Sequence, residues 1–292
     1  MMCDLAIAAD QAAPDSAATV RSGWDASLRL AFERRERRTV LAHVRHEGPL
    51  RFQKPLYPEG DEVCHGIVLH PPAGIAGGDR LSLHFSADAG AHALLTTPGA
   101  GKWYRSAGAE ASQQILIELG ADAAFEWLPQ ETIVFDGALA RMRTEVKLAA
   151  GARFIGQELV CLGRIARGER FSHGRILNDW RITRERRTLW RERSDLEGDD
   201  ALLGAKLGLG GAPVFGTLVA ADPAIDAALI AACRDIAPAV GRGAITRLPG
   251  ILLARYIGPE CEAGRHWFAA LWNLIRPALL ARAAHTPRIW NT

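Results

Sequence analysis

The chain has 292 residues, of which 48% are apolar and 23% charged, and 35 Lys and Arg against 33 Asp and Glu leave a net charge of +2. That balance excludes a wholly disordered chain and supplies enough apolar surface for a sizeable core. It also argues against a polybasic nucleic-acid binder.

The first stretch, Met1 to Val20, carries Asp4, Asp10 and Asp15 and no Lys or Arg. It does not read as a secretory signal. Residues 1–22 are expected to form a flexible, solvated tail ahead of a single domain over 23–292. No window reaches the roughly 18 uncharged apolar residues that span a bilayer. The nearest, Leu207 to Ala221, is short and Gly-rich, so the expected location is cytoplasmic and no membrane contact is expected. The five cysteines, Cys3, Cys64, Cys161, Cys233 and Cys261, are widely spaced with no CxxC. Reduced thiols fit this spacing better than a disulfide framework or a structural zinc site.

Period-two alternation dominates the first two-thirds. Leu28, Leu30 and Phe32 alternate with Arg29, Ala31 and Glu33. Leu81, Leu83 and Phe85 alternate with Arg80, Ser82 and His84. Met142, Thr144, Val146 and Leu148 alternate with four charged residues. Each run predicts a strand with one buried face. Residues 83–101, 115–135 and 146–163 also share a pattern of strand, Gly-Ala turn and strand, with turns at Gly90, Gly120 and Gly151. This spacing predicts strand pairs stacked as a mostly β, layered, solenoid-like arrangement, or else reflects chance in a Gly/Ala-rich chain. The last third changes character. Pro223 to Pro238 predicts a helix with Asp222 as its N-cap. Leu248 to Ile257 predicts a strand. Glu260 to Ala284 predicts a second helix that Pro277 should kink or break.

Common catalytic motifs fail. TTPGAGK (96–102) has Thr96 where a phosphate loop needs Gly, and Trp103 where it needs Ser or Thr. The Gly-rich run at 207–212 lacks the third glycine of a dinucleotide fingerprint. HExxH and GxSxG are absent. His43 and His46 would face opposite sides of a strand.

Four groups remain. HPPAGIAGGD (70–79) reads as a tight turn capped by Asp79, or as a carboxylate lining a close-packed passage. Glu158 would share one strand face with Phe154, Gly156, Val160 and Leu162. A carboxylate in that apolar row needs a partner, a water file or a cation. Arg164 is one candidate partner; a cation route is the alternative. The run RITRERRTLWRERSD (181–195) reads as a solvated strand pair laced by cross-strand ion pairs, with Glu192 sheltered beside Trp190. Glu131 and Asp136 would make a hydrolytic acid/base pair only if they face one another.

Six segments carry a resemblance: HPPAGIAGGD (70–79), TTPGAGKWYRS (96–106), EWLPQETIVFDGA (126–138), LGRIARGERFSHG (162–174), WNLIRPAL (272–279) and PRIWNT (287–292). In this order they resemble the UreD (UreH) family of urease accessory proteins, from about Gly23 to the C-terminus. The resemblance implies a non-enzymatic chaperone for nickel insertion into the urease apoprotein. It would bind a UreF-type partner that recruits a UreG-type GTPase, with nickel in transit and no tightly bound cofactor. It also implies a mostly β fold with about two C-terminal helices and a polar internal tunnel. Carried over by motif, Asp79, Glu158 and Glu192 match acidic positions associated with that tunnel. Gly101 departs from the Ser that relatives often carry. The alternatives weighed are a small-molecule hydrolase using Glu131 and Asp136, and a static nickel store. A store would need clustered His and Cys ligands, and the spacing assigns no metal contact to Cys64, His65 or His70.

Overall fold

The alternating runs become two long sheets laid face to face, in a computed structural model that describes residues 23–291. The expected tail over 1–22 lies outside the described residues. The chain opens with the hairpin β1 (Asp25–Arg35) and β2 (Arg38–Glu47), then β3 (Arg51–Phe52) and β4 (Val63–Leu69). Three coils follow. The first is β5 (Arg80–Ala87), β6 (His92–Thr96) and β7 (Gly101–Trp103). The second is β8 (Ala111–Leu119), β9 (Ala124–Leu128) and β10 (Thr132–Val134). The third is β11 (Leu139–Leu148) and β12 (Arg153–Leu162). A hairpin of β13 (Arg175–Arg184) and β14 (Arg187–Glu197) leads through a one-turn helix, α1 (Ala201–Gly204), to β15 (Val214–Ala221). The chain ends in α2 (Ala227–Arg234), β16 (Arg242–Leu248), β17 (Ile251–Gly258) and α3 (Cys261–Leu280).

The internal repeat is structural. Strands β5, β8, β11 and β13 pair in parallel in the first sheet; β4, β6, β9 and β12 do so in the second. The Gly-Ala turns stack on one another: Gly90 N–H donates to Ala121 O at 2.9 Å, and Asp122 N–H to Ala150 O at 3.0 Å. Gly90 and Gly151 take φ of +68° and +69°, where a Cβ is strained. In the middle turn Asp122, not Gly120, takes the left-handed position at +57°.

The predicted inward residues Leu28, Leu30, Phe32, Leu81, Leu83, Phe85, Met142, Val146 and Leu148 are buried between the sheets, against Phe125, Trp127, Phe154 and Val219 of the second sheet. Each such burial is worth about 1.5–3 kcal/mol. The outer face of the first sheet carries ion pairs such as Arg141 to Glu110 and Arg191 to Asp179. The 181–195 run is the predicted strand pair, turning at Glu185 and Arg186, both at positive φ. Exposed pairs add little stability but favour the observed register.

The other face of the second sheet is covered by α2 and α3, through Ile230, Trp267, Phe268, Leu271 and Ile275. The last third differs in detail from its sequence reading. Helix α2 starts later than expected, capped by Asp226, whose Oδ1 accepts from Leu229 N–H at 2.8 Å. Asp222 instead closes a turn on Ala224 N–H. Pro249 and Gly250 split the expected strand: Leu248 ends β16, and β17 begins at Ile251. Pro277 does not break α3, because only its last turn follows, held by buried Leu279 and Leu280. The helix stops at Ala281, which has φ of +53°.

Candidate functional site

A cavity of about 390 Å³ lies between the two sheets and is lined by residues from each coil in turn. The first sheet lines it with Leu83, Ile115, Thr144 and Trp180; the second contributes Trp127 and Glu158. The loops that close it include His70, the 97–102 segment and Gln130. Alternation places Glu158 here: Phe154, Val160 and Leu162 point into the same inter-sheet core, as their shared face predicts.

Arg164 does not partner Glu158; it pairs with Glu169 on the surface. The Glu158 carboxylate accepts a hydrogen bond from Asn178 Nδ2 instead. Burial pushes its pKa up to about 7, the Glu192 charge adds to this, and the Asn178 amide and Trp180 indole oppose it. Three polar atoms around this space are buried without a well-aligned protein partner: His70 Nε2, Asn178 Oδ1 and Trp180 Nε1. Burial lowers the His70 pKa, against the opposing charge of Asp79, so its imidazole is neutral at pH 7.

Register connects Glu158 to the surface. In the second sheet Glu158 pairs with Thr217, and Thr217 with Arg255. In the first, Thr144 pairs with Trp180, and Trp180 with Glu192. Lateral neighbours share a face, so the two rows meet across the sheets. Arg255 and Glu192 join at their outer end, 49% and 38% exposed. Glu158 thus sits at the buried end of one row and Glu192 at the exposed end of the row facing it. Asp79 has a different position. It is 7% exposed, and its oxygens accept from Trp24 N–H and Ala76 N–H, both at 2.8 Å. It ties the HPPAGIAGGD loop to the start of β1, and its charge reaches His70 in the cavity wall.

The proposed acid/base pair is split between two settings. Asp136 accepts from Ser172 N–H and His173 N–H and pairs with Arg105. Glu131 lies 3.5 Å from Arg265 at the start of α3. No described partner is shared between them.

Sequence reasoning missed a buried polar cluster under α3. Arg276 and Glu126, both with fully buried side chains, meet at 3.0 Å under α3. Trp272 Nε1 donates to Glu126 at 2.7 Å, His92 lies 2.9 Å from it, and Arg276 also reaches Glu59 at 2.7 Å. Burial pushes the Glu59 carboxyl up, but hydrogen bonds from His65 and Arg276 overcome this and bring it to about 2. The C-terminal segment closes over the same region: Trp290 Nε1 donates to Thr96 Oγ1 at 2.8 Å and its ring packs on Trp272. WNLIRPAL, EWLPQE, TTPGAG and residues 287–291, distant in sequence, therefore build one structural knot. Among the described residues no group of three or more His, Cys, Asp or Glu is arranged to hold a metal ion. No described helix is long and apolar enough to cross a membrane.

These features define a helix-covered β-solenoid with a largely apolar cavity between its sheets, into which one carboxylate is set. The family model of the UreD urease accessory protein matches residues 25–291, and the chain belongs to that family. Among curated relatives, the urease accessory protein UreD of Azoarcus sp. (strain BH72) is 57% identical over 270 residues, covering 92% of this chain and 95% of the relative. Its counterpart in Dechloromonas aromatica (strain RCB) is 55% identical over 273 residues, with the same coverage. That of Methylobacillus flagellatus is 48% identical over 278 residues, covering 95% of this chain and 98% of the relative.

Proposed function

We propose that this protein is a non-enzymatic, cytoplasmic accessory scaffold that conducts nickel to the urease apoprotein. In this reading it binds a UreF-type partner, which recruits a UreG-type GTPase. The ion is cargo, not a resident cofactor. It moves between carboxylates and waters along the inter-sheet space, with Glu158 inside and Glu192 at the outer end of the row. Asp79 contributes by shaping the loop beside the cavity and by its charge.

The observation that carries this reading is the Glu158 carboxylate in the cavity wall, with no cationic side chain among the described residues paired to it and buried polar atoms left unpartnered around it. A neutral imidazole Nε2, a carboxylate and an amide oxygen form a mixed set of borderline and hard donors. Such a set, without thiolates, suits brief binding and release of a late first-row metal. Waters bridging to the orphan atoms would complete the coordination. The hydrolase alternative has no comparable support, since Glu131 and Asp136 are engaged separately.

The test is a co-purification. The tagged protein is expressed with urease subunits and the UreF- and UreG-type partners, and captured species are identified by mass spectrometry. Recovery of a complex containing apo-urease supports the scaffold. A monomer that captures none of these proteins contradicts it.

A further inference from the structure

A second cavity, of about 550 Å³, lies on the other side of the second sheet, between β4, β6 and the segment that follows α3. Its walls are largely apolar, but His65 of β4 and His285 of the C-terminal segment both line it. Alternation sets His65 there: Cys64 packs into the inter-sheet core, so the next side chain points to the opposite face. The two imidazole rings meet edge to face, with centroids 6.2 Å apart and planes at 82°.

The tautomer of His65 is fixed by its neighbours. Its Nε2 lies 2.5 Å from Glu59 Oε1, and the Arg276 guanidinium grips the same carboxylate at 2.7 and 2.9 Å. These bonds hold the Glu59 carboxyl at about 2, so at neutral pH it is ionised and can only accept. Nε2 therefore carries the proton, and Nδ1 of the neutral imidazole keeps its lone pair. That Nδ1 has no protein hydrogen-bond partner among the described residues, and neither nitrogen of His285 has one. A carboxylate behind one ring nitrogen is the usual setting of a metal-ligating histidine, because it orients the ring and makes the other nitrogen more basic.

We propose that His65 and His285 form a separate metal site, which takes one late first-row divalent cation through two imidazole nitrogens and water and so pins the C-terminal segment over β4. Imidazole suits zinc, copper and nickel. An imidazole nitrogen sits about 2.0–2.1 Å from such an ion, so two rings sharing one in tetrahedral geometry have centroids about 5 Å apart. Closing from 6.2 Å needs a shift of about 1 Å, and His285 lies half-buried on a segment without regular structure. Two protein ligands and water make an exchangeable site, which agrees with the absence of a three-ligand group among the described residues. Glu158 lines the other cavity, so this site does not depend on a route through the inter-sheet space.

The test titrates zinc chloride into the full-length chain by calorimetry and follows amide exchange over 284–290 with and without the ion. The wild-type chain is expected to bind zinc, and His285→Ala to bind one equivalent fewer. His285 takes no part in the bonds among Glu59, Glu126 and Arg276, so this variant leaves that cluster intact. Glu158→Gln, which alters the other cavity, should keep the full count. Zinc should slow exchange over 284–290 several-fold in the wild-type chain and leave it unchanged in His285→Ala. A count that His285→Ala does not lower, a count lowered by Glu158→Gln instead, or exchange over 284–290 indifferent to zinc would overturn the site. None of these readouts uses urease or a partner protein, so their failure is distinct from failure of the proposed nickel route.

Discussion

Asn178, on the first sheet, donates its side-chain amide to the carboxylate of Glu158 on the second. This contact crosses the interior of the molecule and joins two strands separated by a surface loop. It orients Glu158 without neutralising it, because an amide carries no charge to balance the carboxylate. A buried carboxylate held in this way costs stability when ionised. The proposed passage uses that same unbalanced charge.

The cost sets a pH dependence. The folded-state pKa of Glu158 is about 7, raised from 4.5. The folded protein therefore binds more protons than the unfolded chain between those values, and its stability falls as pH rises through that window. Glu158→Gln should abolish that decline and stabilise the protein by about 3 kcal/mol at about pH 8. Thermal melts of both proteins from about pH 5 to 8 check this. Parallel curves would show that the group does not titrate as described.

The Arg276 knot should behave oppositely. Removing one member of a buried ion pair strands the others in a dry interior. Arg276→Met should destabilise the protein by about 3–5 kcal/mol in urea unfolding, because Glu126 and Glu59 lose their shared cation. Glu59 adds a separate signature. Its folded value lies near 2, below the ordinary 4.5, so its contribution is present above 4.5 and is lost as pH falls toward 2. An acid titration of wild-type protein should show this loss, and Glu59→Gln should flatten it.

Asp79 is expected to act locally. Asp79→Ala removes the acceptor for Trp24 N–H and Ala76 N–H and should cost about 2 kcal/mol, as for other hydrogen bonds to a charged group. Hydrogen exchange at those two amides should rise well above that of the sheet interior. Unchanged exchange at both would show that the loop holds without the carboxylate.

The Glu192 to Arg255 pair sits at an exposed end and should matter little for folding. Arg255→Ala should change stability by less than about 1 kcal/mol. If the polar row conducts the ion, this variant should still alter the nickel concentration needed for half-maximal urease activation. An unchanged requirement would place the outer end of the route elsewhere.

The strands were legible because inward and outward residues alternate, and the coil because three Gly-Ala turns recur at nearly equal spacing. The position of Glu158 followed from the same alternation, since an apolar row makes one carboxylate conspicuous. The knot was not legible. Arg276 lies on a helix whose pattern leaves room for a surface arginine. Its partners Glu126 and Glu59 are 150 and 217 residues away, so local patterning carries no trace of them. Asp79 was legible as a turn cap, but its bond to Trp24 depended on the strand order. The missed strand β16 and the later start of α2 have a common cause. Short segments between Pro and Gly carry too few residues for a period to show, and the neighbouring sheet and helix decide their conformation.

The most direct measurement is the nickel content of urease matured with Glu158→Phe in place of the wild-type protein, alongside mass-spectrometric recovery of the complex. A bulky apolar ring would fill the space beside Asn178 and Trp180 and remove the carboxylate. The account predicts a complete complex, with nickel in urease reduced several-fold. Full nickel loading by an intact complex would contradict a route through this cavity.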